Sequence, residues 1–221
     1  MTLRSRDCSM EVDRAPNPAQ RFFLSRRLLI SVLGTVATAC TIAPAVENSN
    51  TIAPVSIMPP RGHGSLLQSE VSMSLSSRDL EIMVTPLDES VIRVTAPDTE
   101  ERLRGIAAVH RGSLPSDATL FLVSFFTAEA DVAFVPEEIQ LLTQGLRVLP
   151  AGIAPITPGW QQRRVLQRQT ELAVYAFPTN VDLESELVLV YGFDQTSAWS
   201  GILPRIQGER ARARARATGS R

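Results

Sequence analysis

The sequence contains no lysine: all 22 basic residues are arginine. That absence excludes a Schiff-base lysine, the lysine of a phosphate-binding loop and the lysine of a kinase-type nucleotide site. Only two cysteines (Cys8, Cys40) and two histidines (His63, His110) occur, far apart, so structural zinc spacings are excluded as well. No Gly-x-Ser-x-Gly elbow, glycine-rich dinucleotide fingerprint or His-Glu-x-x-His pair is present. Aromatic residues make up 5% of the chain, and ten of the twelve fall between Phe121 and Trp199. A serine triad would have to recruit His63 or His110, and no calcium-loop spacing surrounds Asp182-Leu183-Glu184-Ser185-Glu186. The expectation is a protein that is not an enzyme and holds no metal and no cofactor.

What remains is an address, a β-rich body and an uneven charge distribution. The 221 residues are 44% apolar and 20% charged, which suits one globular domain with extensions. Formal net charge is −1, but neutrality hides three regions. Residues 1–39 carry six Arg against three acids, residues 40–199 ten Arg against nineteen, and residues 200–221 six Arg against one. The middle is therefore acidic, and both ends are basic.

At the N-terminus, Ser25-Arg26-Arg27 precedes a twelve-residue, mostly apolar run from Leu28 to Ala39, followed by Cys40. As a helix, twelve residues span about 18 Å, short of a hydrocarbon core of roughly 30 Å. Extension through Ile42 and Ala43 is stopped by Pro44. A basic stretch, a short apolar run and a small-residue site read as an export signal. Ala37-Thr38-Ala39-Cys40 resembles the lipobox of bacterial lipoproteins. The resemblance implies processing at Ala37, Thr38 and Ala39, cleavage before Cys40, and lipid attachment at Cys40. It thus implies a membrane partner through the lipid anchor, at the cell envelope. Thr41, standing where Asp would retain a lipoprotein at the inner membrane, points to the outer membrane by the sorting rule of enteric lipoproteins, and the outer membrane and the periplasmic face are both open. Ser25-Arg26-Arg27-Leu28-Leu29-Ile30 is similar to a twin-arginine export motif, and the Sec and twin-arginine routes are both open. Soluble secretion and an uncleaved helix are the other readings of the segment. Cys8 would leave with the signal, so Cys40 would be the one mature cysteine and no disulfide framework is expected.

Residues 40–75 read as a proline-rich flexible linker. They contain Pro44, Pro54, Pro59, Pro60, a Thr-Ile-Ala-Pro tetrapeptide repeated at 41–44 and 51–54, and Gly62-His63-Gly64-Ser65. His63 is expected as a solvated linker histidine. Residues 76–199 read as the folded domain. Leu80, Ile82 and Val84 alternate with Asp79, Glu81 and Thr85, the period of a strand with one wet face. Residues 118–127 are apolar on both faces, as an interior strand requires. Residues 138–143 and 146–149 flank Gln144-Gly145, a tight hairpin. Residues 171–177 and 186–193 give two more strands, the latter turning Leu187, Leu189, Tyr191 and Phe193 to one face. Pro97 to Glu101 starts a helix that continues through Leu103, Ile106, Ala107 and His110 and ends at Gly112, while residues 88–94 read as a shorter helix or as a continuation of the preceding strand. Trp160 and Trp199 are expected as core or turn anchors, and Phe125 and Tyr191 as inward-facing.

The layout from Asp79 to Phe193 resembles the immunoglobulin-like domains of bacterial envelope lipoproteins. It implies a mainly β fold: an antiparallel immunoglobulin-like β-sandwich with one short helical insertion. Residues 200–221 form an Arg/Ala-rich tail in which Arg210, Arg212, Arg214 and Arg216 alternate with alanine; an exposed helix from about Leu203 and a frayed solubilising terminus are both open. On a helix these four spread around the axis, whereas on a strand they share a face. They are the candidate contacts to an anionic surface. With no aromatic residue for stacking, no specific nucleic acid is expected. The functional expectation is an envelope lipoprotein that binds or scaffolds, possible partners being an envelope protein or an anionic surface. A carboxylate-dependent hydrolase, and nucleic-acid or anionic-surface binding through the tail, are the alternatives.

Overall fold

The computed structural model describes residues 62–178 and 181–218. The signal segment and most of the linker, including Ala37, Thr38, Ala39 and Cys40, lie outside the described residues.

The body is mainly antiparallel β-sheet with few helices. Strands β1 (Met73–Ser77) and β2 (Leu80–Pro86) form a hairpin. Two helices follow, α1 (Glu89–Ile92) and α2 (Pro97–Arg111), before β3 (Thr119–Phe126) pairs back onto β2. Next come β4 (Val132–Ala133), β5 (Ile139–Thr143), β6 (Leu146–Val148), β7 (Gly152–Pro155), β8 (Arg164–Val165) and β9 (Thr170–Phe177). The chain ends in β10 (Leu187–Tyr191), β11 (Asp194–Thr196) and α3 (Trp199–Thr218). One sheet runs β1-β2-β3-β9-β7, a second β11-β10-β5-β6, and β4 pairs with β8.

Strand periodicity explains the layers. The central strand β3 sends Phe121, Val123 and Phe125 to one side and Leu120 and Leu122 to the other, and all five are buried. The first set joins Tyr175, Phe177, Leu141, Leu189 and Tyr191 in a core shared by both large sheets. Phe125 and Tyr191 meet across it at 5.7 Å between ring centroids, edge on. Trp160, Phe134 and Phe125 continue the aromatic cluster. The second set packs with Val174, Ala176 and Leu103 of α2. Both faces of β3 are therefore covered, by a sheet on one side and a helix on the other, and its unbroken apolar sequence follows. The arrangement of the two large sheets is sandwich-like.

Local chemistry fixes the turns and helix starts. Gln144 (φ 50°) and Gly145 (φ 77°) are both left-handed, as the two-residue connection between β5 and β6 requires. Asp88 caps α1 by accepting from the Ser90 backbone N–H at 2.8 Å. Pro97 occupies the first turn of α2, where its missing donor is harmless, and Asp98 and Glu100 follow. Both tryptophans are buried, and the Trp199 indole N–H donates to the Leu183 carbonyl at 3.2 Å.

Three expectations are corrected. The folded chain starts before residue 76, because β1 begins at Met73 and Leu66 and Val71 are buried. Residues 64–66 bond to the α1–α2 connection: Gly64 N–H to Arg93 O, Leu66 N–H to Val94 O and Ala96 N–H to Leu66 O. Gly64 is needed there, since a β-carbon would lie 1.9 Å from the Val94 carbonyl oxygen. Phe193 is fully exposed rather than inward. Strand β10 ends at Tyr191, and Gly192 (φ 57°) turns the chain into β11, so the alternation stops two residues earlier than the pattern implies. Finally, residues 200–218 are helical, but neither a frayed terminus nor a wholly exposed helix. They are the body of α3, with Ile202, Ile206, Glu209 and Ala213 buried.

Candidate functional site

Helix α3 attaches through Trp199, Ile202 and Ile206, spaced three and four residues apart and all in the shared core. One turn further on, the same buried side carries Glu209, a carboxylate with no exposed surface. Its Oε1 accepts from the Arg216 guanidinium at 2.6 Å and from the Ser65 hydroxyl at 3.0 Å, and Arg212 Nε lies 3.2 Å from Oε2. Arg216 also donates to the His63 carbonyl at 2.9 Å. Burial pulls the Glu209 pKa up, but the bonds from Arg216 and Ser65 and the charges of Arg216 and Arg212 outweigh it. The result lies below the ordinary carboxylate value.

His63 is likewise engaged. Its Nδ1 lies 2.7 Å from Glu100 Oε2, and Glu100 also accepts from Arg104 at 2.6 Å. The expected solvated histidine is instead a tie between the entering chain and α2. The reason is the close approach of Gly64 to Val94, which brings residues 62–66 alongside both helices.

The four alternating arginines divide. Arg212 and Arg216 are four residues apart and serve Glu209. Arg210 and Arg214, also four apart, face a groove of about 490 Å³ between α1 and α3. Positions 210, 213, 214 and 217 form one helical face, so the sequence alternation places two arginines and two alanines on it. Ala213 and Ala217 keep the floor low, and Val94 continues it. Arg93 forms the opposite wall. The Arg210 guanidinium donates to the Ser90 carbonyl at 3.1 Å and to Glu184 at 2.5 Å, which fixes its position. Among the described residues, no hydrogen bond or ion pair engages the Arg214 side chain.

The groove's one carboxylate, Glu89, is already held by Arg93 at 2.6 Å and by Arg104 at 3.0 Å. The Arg93 hydrogen bond leads in drawing the Glu89 pKa down, against burial and together with Arg104. Arg93 was not among the residues singled out in the sequence. No periodic signal joins residue 93 to residues 210 and 214, and only the fold does so. The face 210/213/214/217, by contrast, was readable from helical spacing.

A second groove of about 340 Å³ lies over β1, β2 and β3, where Ser74, Ser76, Glu81, Met83, Ser124 and Phe126 face outward. Each of the two grooves carries a single carboxylate. Glu100, Glu137 and Glu184 are each paired with an arginine, Arg104, Arg163 and Arg210 respectively. Among the described residues no group of three or more His, Cys, Asp or Glu is placed to hold a metal ion. No helix among them is long and apolar enough to cross a membrane. The core tyrosines act as bracing groups. Tyr175 donates to the Pro136 carbonyl at 2.9 Å, Tyr191 accepts from the Val135 N–H at 3.0 Å, and burial raises both pKa values. Comparison with family models, curated proteins and solved structures finds no significant match to this chain.

Proposed function

We propose that this protein is an exported cell-envelope lipoprotein whose β-rich body binds or scaffolds without catalysis. Export proceeds by the Sec or twin-arginine route, cleavage falls between Ala39 and Cys40, and Cys40 carries the lipid. The observation that carries the reading is Ala37-Thr38-Ala39-Cys40 at the end of a twelve-residue apolar run behind Arg26-Arg27. Two or three acyl chains at Cys40 hold the protein firmly at the membrane, each buried methylene contributing about 0.8 kcal/mol.

For the architecture, two antiparallel sheets over one core support an immunoglobulin-like sandwich in its layering. The order β1-β2-β3-β9-β7 keeps three successive strands in one sheet, unlike the four-plus-three pairing of immunoglobulin constant domains. The likeness is therefore one of layers and not of strand order.

Radiolabelled palmitate fed to cells expressing the full chain tests the anchor. Incorporation into wild type and its loss in Cys40→Ser, with a matching change in intact mass, is the expected result. Equal labelling of the two, or a mature mass that retains residues 1–39, overturns it.

A further inference from the structure

We infer that the groove between α1 and α3 is a binding site for a phosphoryl group, gripped by Arg93, Arg210 and Arg214. This deepens the binding half of the proposed function; the groove itself does not depend on the lipid anchor, and only the choice between sources of the phosphoryl group draws on it.

Charge comes first. Three arginines line the groove; its single lining carboxylate, Glu89, is shared between Arg93 and Arg104, and Arg210 is paired with Glu184 beside it. The local excess is positive although residues 40–199 carry nineteen acids against ten Arg. An anion is therefore drawn to the groove. Geometry comes second. Guanidinium forks present paired N–H donors that match the oxygens of a tetrahedral phosphoryl group, and every cation available to this protein is of that kind. Preorganisation comes third. Arg210 is held by Ser90 and Glu184, whereas Arg214 has no partner among the described residues and keeps its donors for a ligand. Room comes last. Ala213, Ala217 and Val94 leave a floor without long side chains in about 490 Å³, ample for a phosphoryl group and the first atoms of whatever bears it.

The phosphoryl group can belong to an anionic lipid headgroup or to a soluble phosphomonoester. The headgroup is favoured by position, because Gly62 lines the groove. Residues 40–61 can extend no further than roughly 75 Å. The chain leading from the proposed lipid attachment thus enters the body beside the arginines.

The test uses the full chain carrying Cys40→Ser, so that a failed anchor cannot be confused with a failed groove. One arm measures co-sedimentation with phosphatidylcholine vesicles with and without phosphatidic acid. The other measures calorimetric binding of inorganic phosphate and glycerol 3-phosphate. Arg214→Gln is compared with Arg205→Gln, which makes the same charge change on an exposed position of α3 away from the groove. We expect Arg214→Gln to weaken binding about ten-fold or more, and Arg205→Gln less than about two-fold. Arg214-dependent binding to phosphatidic acid vesicles alone identifies the headgroup as source, and Arg214-dependent binding of the soluble phosphates identifies a free ligand. Either outcome supports the groove. Equal losses in the two variants mean diffuse attraction to a basic helix and overturn the proposal, as does absence of binding in both arms.

Discussion

The two sides of α3 carry arginines that are indistinguishable in sequence and opposite in role. Arg216 is mostly buried, 18% exposed, and spends its donors on a carboxylate with almost no access to water. Arg214 is exposed and spends none on the described residues. One kind holds the helix to the body, and the other is left for something outside it. The difference arises from period alone. An alternation of two laid over a helix of 3.6 residues per turn sends successive arginines to different sides.

The side that holds should dominate stability. Trp199 is the first anchor, completely buried with its indole N–H bonded. Trp199→Ala is expected to cost about 3–5 kcal/mol in denaturant unfolding, the range for large aromatic cavities. A loss below about 1 kcal/mol would mean that α3 is not held as described. Arg216→Ala comes next. It leaves Glu209 buried with only Ser65 and the exposed Arg212, and is expected to cost about 2–4 kcal/mol. The double change Glu209→Leu with Arg216→Leu removes the charge along with its partner and should recover to within about 1 kcal/mol of wild type. If the double variant is as unstable as Arg216→Ala, the contribution of Arg216 is packing of its stem and not charge.

Glu209 gives this side a pH signature. Its folded pKa is depressed, so its contribution is fully present above the unfolded carboxylate value of about 4.3 and is lost as pH falls through the lower folded value. Glu209→Gln already lacks the charge. Its unfolding midpoint should lie below that of wild type at neutral pH, and the gap should close as pH drops under about 4. A gap that is constant with pH would assign the effect to shape instead of ionisation.

What was legible in the sequence follows the same division between periodic and non-periodic information. The strands β2, β3, β5, β6, β9 and β10 and the helix α2 each carry their own pattern, cap or turn, and all were readable locally, whereas α1, at four residues, left helix and strand both open. Phe125 and Tyr191 faced inward as their parity required. The edge and bridging pieces β4, β7, β8 and β11 were not readable. With two to four residues each, they are too short to show a period, and their pairing is decided by partners far along the chain. Residues 62–75, including the start of β1, looked like linker because glycine and serine are read as flexible. Here Gly64 serves close contact and Ser65 a buried carboxylate. Of the groove, half was written in the 210/213/214/217 spacing. The other half, Arg93 just past the end of the four-residue helix α1, owes its place to tertiary packing.

The open side of α3 should scarcely matter to folding, and this is the smallest effect and the sharpest contrast. Arg214 sits on a formed helix, exposed, with no ion pair to lose among the described residues. Alanine is at least as good a helix former as arginine. Arg214→Ala should therefore change unfolding free energy by less than about 0.5 kcal/mol, in either direction. Relief of repulsion from Arg210, one helical turn away, pulls slightly towards stabilisation. That pull should shrink with added salt, because like charges on an exposed face are screened over about 8 Å at physiological ionic strength. A destabilisation comparable to that of Arg216→Ala would mean that Arg214 has a hidden structural partner, and the distinction between the holding and the open side of α3 would fail.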